Sequence, residues 1–222
     1  MRLPFLLTVH PSAPIGEICG LWGGLHGRIA NEIRGDDDVL DFWKPLFQIA
    51  IMIKRAELLG QVDYGLKHSP VTGILGPRQC GKTTLAREIG QRENATYFDL
   101  EDPNDQAKLA NPQLVLEAAR GVVILDEIQR RPELTMLLRV LADRRPLPCR
   151  FIVLGSASPD LMRQASDSLA GRIYFVDMSG FTLGEIGVEQ RDRLWLRGGF
   201  PMSFLAENDA DSHKWRLTFA RT

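Results

Sequence analysis

The chain has 222 residues, 44% apolar and 25% charged, with a formal net charge of −1. That is room for one α/β domain with appendages; the near-neutral balance excludes wholesale electrostatic binding of nucleic acid while leaving a local basic patch open. The cysteines, Cys19, Cys80 and Cys149, are odd in number and widely spaced, which excludes a disulfide framework or a cysteine-rich zinc site and suits a reducing compartment.

Residues 1–51 are the least patterned part of the chain. They carry prolines, glycines at 20, 23, 24 and 27, and the acid run Asp36-Asp37-Asp38. They read as a loosely ordered N-terminal extension or, given Trp22, Phe42, Trp43 and Phe47, as a small partner-binding arm. Residues 1–7 resemble a signal peptide only weakly, because the apolar core is short and broken by Pro4. No apolar run approaches the ~20 residues of a membrane span, so a cytoplasmic protein with no membrane partner is expected. A compact core over 52–190 is expected to begin at Met52, with Ile51–Arg55 opening a segment that leads directly into the first strand.

From residue 70 the pattern alternates strand and helix. Expected strands are Val71–Leu75, Thr96–Leu100, Val122–Leu125, Phe151–Leu154 and Ile173–Val176. Expected helices start at Lys82 and lie near Gln113–Ala119, Glu133–Ala142 and Pro159–Leu169. Short β-rich runs separated by helices imply an α/β fold with a central parallel five-stranded sheet covered on both faces. From about Arg191 the pattern turns helical, so 191–222 is expected to open a second domain.

Between the first strand and helix stands Gly76-Pro77-Arg78-Gln79-Cys80-Gly81-Lys82-Thr83, the G-x-x-x-x-G-K-[ST] pattern of a phosphate-binding P-loop in its strand-loop-helix context. Gly76 and Gly81 let the backbone approach an anion, and successive N–H groups with the helix N-terminus attract it. Lys82 is suited to the β/γ-phosphates and the Thr83 hydroxyl to Mg²⁺. The nucleotide-contacting set is thus Gly76, Pro77, Arg78, Gln79, Cys80, Gly81, Lys82, Thr83 and Thr84. Oxidation of Cys80 would block the loop; the plainer reading is an inert small residue.

Gly121-Val122-Val123-Ile124-Leu125-Asp126-Glu127 has the form of a Walker B strand. Asp126 would hold Mg²⁺ through its water shell, and Glu127 would orient the attacking water. Ser156, ending the next strand, fits a γ-phosphate sensor, or else a polar residue at the start of the following helix, a role that suits Ser158-Pro159 better. Arg172, after Gly171, is either a finger completing a neighbouring copy's site or one half of an ion pair. Gln129-Arg130-Arg131 reads first as a solvated run, with sensing of phosphate state or contact with a partner subunit as the alternatives. The four histidines show no ligand spacing.

Several of these segments together resemble a known group. They are Gly76–Leu85, Tyr97–Pro103, Leu125–Arg130, Leu154–Ser158, Ser168–Arg172 and Trp195-Leu196-Arg197-Gly198-Gly199-Phe200-Pro201. In that order they are similar to the prokaryotic AAA-type ATPases that carry a C-terminal DUF4143 domain. The resemblance implies an AAA+-like P-loop NTPase core, a three-layer sandwich, with ATP as nucleotide. Members continue well past the Trp195–Pro201 segment, so a chain truncated inside that domain is expected. The leading functional expectation is a Mg²⁺-dependent ATPase that drives a conformational change and can assemble as a homo-oligomer. The alternatives are a nucleotide-gated module contacting DNA or a protein with little turnover, and a small-molecule kinase. The Asp-Glu pair and the lack of a lid with paired arginines weigh against the kinase.

Overall fold

A computed structural model describes residues 53–156 and 168–221. The extension over 1–51, and all but the end of the helix expected near Pro159–Leu169, lie outside those residues. Five strands form one all-parallel sheet: β1 (Val71–Gly76), β2 (Thr96–Asp99), β3 (Gly121–Asp126), β4 (Cys149–Ser156) and β5 (Ile173–Asp177), in the spatial order β2-β3-β4-β1-β5. The fold is the expected α/β one, with strand ends shifted by a residue or two.

Side chains alternate across a strand, so each apolar run feeds two cores at once. Val123, Leu125, Phe151 and Val153 point to one face, where Leu134, Leu138 and Leu141 of α5 (Leu134–Ala142) pack with Leu116 of α4 (Pro112–Ala118). Val122, Ile124, Ile152 and Leu154 point to the other, under α1 (Ala56–His68) and α2 (Lys82–Glu93). The sheet is therefore the middle of three layers.

One expectation is corrected. The segment after Ile51 does not run directly into β1; the 13-residue α1 stands between them. Its buried Leu58, Val62 and Leu66 recur every four residues, a narrow stripe that rests on the sheet. Short α3 (Pro103–Lys108) follows β2, with Asp102 at its N-cap accepting from the Asn104 N–H at 2.8 Å. After β5 come α6 (Leu183–Ile186), α7 (Arg191–Arg197), α8 (Pro201–Phe204) and α9 (Asp209–Phe219). Arg197 Nε binds Asp209 at 2.7 Å, and Phe200 packs beside the stacked rings of Trp215 and Phe219. None of the described helices is long and apolar enough to cross a membrane.

Candidate functional site

The carboxyl ends of the strands converge on the β1–α2 loop. Gly76 ends β1, and a Cβ there would lie 2.1 Å from the Met178 carbonyl oxygen, so no larger residue fits. Gly81 has φ +101°, a left-handed value suited to glycine, and Gln79 is also left-handed at φ 63°. These reversals wrap the backbone into a concave turn ahead of α2, the geometry in which successive N–H groups can face one anion. The Gly81 N-cap supplies no side-chain bond to the helix start, so the first-turn N–H groups of α2 remain suited to an anionic ligand.

Lys82 is 5% exposed, and its ammonium donates to the carbonyls of Gly76 (3.0 Å) and Pro77 (2.9 Å), reaching back across the loop. Pro77, Arg78, Gln79 and Thr84 are exposed, whereas Cys80 is fully buried and donates from sulfur to the Met178 carbonyl at 3.7 Å. Burial pushes the Cys80 thiol up, with Lys82 partly opposing it; a protonated, buried thiol is a poor nucleophile, which favours the inert reading of Cys80.

At the end of β3, Asp126 is 2% exposed and accepts from the Thr83 hydroxyl at 2.8 Å. Two residues distant in sequence thus meet beside the loop as a hydroxyl–carboxylate pair of hard oxygen donors, the chemistry Mg²⁺ prefers. The other Asp126 oxygen accepts the Glu127 N–H at 2.9 Å. Glu127 turns the chain sharply with φ 55°, and its carboxylate accepts from the Gln129 amide. Ser156 ends β4 directly across from Gly76 in the β1–β4 register. Arg172 is not brought to the loop of its own chain. It precedes β5 at the opposite, amino edge of the sheet, bound through Nε (2.7 Å) and Nη2 (2.8 Å) to the two oxygens of Asp143.

Two participants escaped the sequence reading. The Tyr97 hydroxyl, on β2, donates to the same Asp126 oxygen as Thr83; burial and then the adjoining carboxylate raise its pKa, keeping it a neutral donor. The signal was available only as strand register, since Asp99 pairs with Asp126 and puts Tyr97 beside it. Arg55, buried just before α1, donates to the Cys80 carbonyl of the loop at 3.2 Å; no local pattern marks it. In the run after Glu127, Arg130 is exposed and pairs with Glu101, and the half-buried Arg131 pairs with Glu133.

Residues 68–187 match the AAA domain family. Two uncharacterized proteins, of Mycobacterium bovis and Mycobacterium tuberculosis, are each 42% identical over 216 residues, which cover 96% of this chain and 47% of theirs. The chain therefore spans about half the length of the curated relatives it matches. Among solved structures, a Walker-type ATPase of Pyrococcus abyssi aligns with a TM-score of 0.51 and 17% identity, over 76% of this chain and 72% of that one. The P-loop NTPase domain of a sigma-54 transport activator from E. coli gives 0.39 and 19%, over 58% and 99%. The likeness to the Pyrococcus abyssi structure is one of fold.

Proposed function

The chain belongs to the AAA domain family, and on that premise we propose that it is a Mg²⁺-dependent ATPase. The observation that carries the reading is the 2.8 Å bond between Thr83 and Asp126, a hydroxyl and a carboxylate beside the loop whose oxygens would suit a cation. In this reading the backbone of Gly76–Thr83 and the exposed Thr84 hold ATP, with Pro77, Arg78 and Gln79 forming the crest of the loop and Cys80 contributing its backbone from a buried position. Lys82 exchanges its two carbonyl partners for β/γ-phosphate oxygens, which as anions are the stronger acceptors. Thr83 and Asp126 would hold Mg²⁺, whose charge would stabilise the transferring phosphate. Glu127, released from Gln129, orients water towards the γ-phosphate, and Ser156 senses that phosphate from the neighbouring strand. Arg172 enters only through a neighbouring copy, where it would have to leave Asp143.

The finer features of the reading are a cytoplasmic setting, suited to buried free Cys80 and Cys149, and residues 191–221 as the opening of a DUF4143-type domain. ATP turnover with and without Mg²⁺, in wild type and Lys82→Ala, is the direct test; no Mg²⁺-dependent turnover in wild type would overturn it. A second reading is a nucleotide-gated binding module with little turnover. The bond that ties Glu127 to Gln129 favours it, and ATP binding without measurable hydrolysis, with or without DNA, would select it.

A further inference from the structure

Arg55 lies outside the residues that match the family, yet it makes the densest set of polar contacts around the loop. Its side chain is 8% exposed, and it forks onto Glu185 of α6 through Nε (2.7 Å) and Nη2 (3.1 Å). Nη1 donates to the carbonyls of Cys80 (3.2 Å) and Ser179 (3.0 Å), and Nη2 to those of Ser179 and Gly180 (both 3.0 Å). The guanidinium also lies 5.5 Å from the centre of the Phe181 ring. A buried arginine cannot shed its charge, so saturation is required of it. Charge does not dictate which groups it saturates. Its partners are the phosphate loop, the turn after β5 and the first helix beyond that turn.

The bond to Cys80 has a directional effect. The Cys80–Gly81 peptide is trans, so its C=O and N–H point in opposite directions. A cation that pins the Cys80 carbonyl inward turns the Gly81 N–H to the opposite side of the loop, where an anion would lie. It also polarises that peptide and strengthens the N–H as a donor. The strip that shares Arg55 touches the loop and its strand at two further points. The Met178 N–H donates to the Leu75 carbonyl at 2.6 Å, and the Met178 carbonyl accepts from the Cys80 thiol.

We infer that Arg55 is a positioning residue that presets the phosphate loop and couples it to residues 179–186, so that nucleotide binding and the ordering of that segment favour each other. The coupling is reciprocal by thermodynamic necessity. The inference rests on the nucleotide reading of the loop. A lysine would keep the charge but lose the planar fork that reaches all three stretches.

The test uses the full chain with Mg²⁺ and ATP as the probe. Binding is read by calorimetry, and hydrogen exchange of 179–186 is followed with and without ATP, in wild type, Arg55→Lys and Glu185→Gln. Expected for wild type is ATP binding that slows exchange in 179–186 by about tenfold or more. Expected for Arg55→Lys, at a melting temperature that shows it folded, is about tenfold weaker ATP binding and loss of the ATP-dependent slowing in 179–186, with exchange in β3 unchanged. Glu185→Gln keeps the Cys80 bond, so it should lose the slowing with only a severalfold loss of affinity; it decides the matter should Arg55→Lys fail to fold. Wild-type affinity with intact ATP-dependent slowing in the folded variants overturns the inference alone. Absence of ATP binding by wild type overturns it together with the nucleotide reading.

Discussion

The Lys82 ammonium rests on two carbonyls of its own loop, so it is already aimed where a polyphosphate would meet the helix start. Lys82→Ala removes a charge-assisted donor worth about 1.5–3 kcal/mol. ATP affinity measured by calorimetry should therefore fall about tenfold to a hundredfold. In the proposed function Asp126 and Glu127 are neighbours with separate tasks. Asp126→Asn should raise the Mg²⁺ needed for half-maximal turnover, whereas Glu127→Gln should leave ATP affinity intact and lower kcat by about 10²-fold or more. Equal effects of the two substitutions on Mg²⁺ dependence would refute that division. Tyr97→Phe deletes one of the donors that fix the Asp126 carboxylate, and a severalfold rise in the Mg²⁺ needed for half-maximal turnover, with little change in kcat at saturating Mg²⁺, is expected. The strand-loop-helix placement of the loop was legible in sequence because Gly76, Gly81, Lys82 and Thr83 fall within eight consecutive positions. Asp126 was legible because an apolar run ended on it. Tyr97 and Arg55 were not, since their contacts arise from cross-strand register and span up to 130 residues.

Helix α5 covers one face of the sheet with Leu134, Leu138 and Leu141. Leu138 is fully buried, so Leu138→Ala should cost about 2–5 kcal/mol in urea unfolding, while the exposed Met136→Ala on the same helix should change little. The strands were readable because a parallel sheet buries both faces and leaves each strand a continuous apolar run. Helix α1 was hidden because its apolar stripe is narrow and Gly60 and Gly65 interrupt it; the Thr72 side chain lies against Gly65 and explains why a larger residue is absent. Helix α6 offers a test by pH. Burial alone would push the Glu185 carboxyl up, but the Arg55 guanidinium and the Thr182 N–H outweigh it and hold Glu185 below its ordinary 4.5. The stability this pair contributes is complete above about pH 4.5 and is lost as pH falls through the lowered value. Thermal melts should show wild type and Glu185→Gln separated at pH 6 and converging towards pH 3.

At the scale of the whole molecule, the sequence of residues 1–51 lacks the patterned apolar faces that build the sheet and its covering helices. A chain beginning at Met52 should therefore melt within a few degrees of the full one; a large drop would mean that the extension packs on the core. The Arg172–Asp143 pair lies at the solvent-exposed surface, so its loss should change stability little. A finger acting on a neighbouring copy would instead contribute on the order of 10³-fold in rate. Mixtures of Arg172→Ala with Lys82→Ala should then regain activity in an oligomeric sample, and no recovery would leave Arg172 to its ion pair. The strand order has a consequence for how the chain comes to be folded at all. β1 is bracketed by β4 and β5, its Val71 pairing with Phe151 and Ile173, so among the described strands the earliest in sequence waits for the two latest. At ribosomal speeds of about 5–20 residues per second, some 80 residues separate β1 from its nearer partner and impose a delay on the order of ten seconds. For that interval an apolar strand with both edges open is free to pair wrongly, and its loop stays shapeless. Synthesis rate and chaperone supply, rather than final stability alone, should therefore set how much of this protein a cell can make in soluble form.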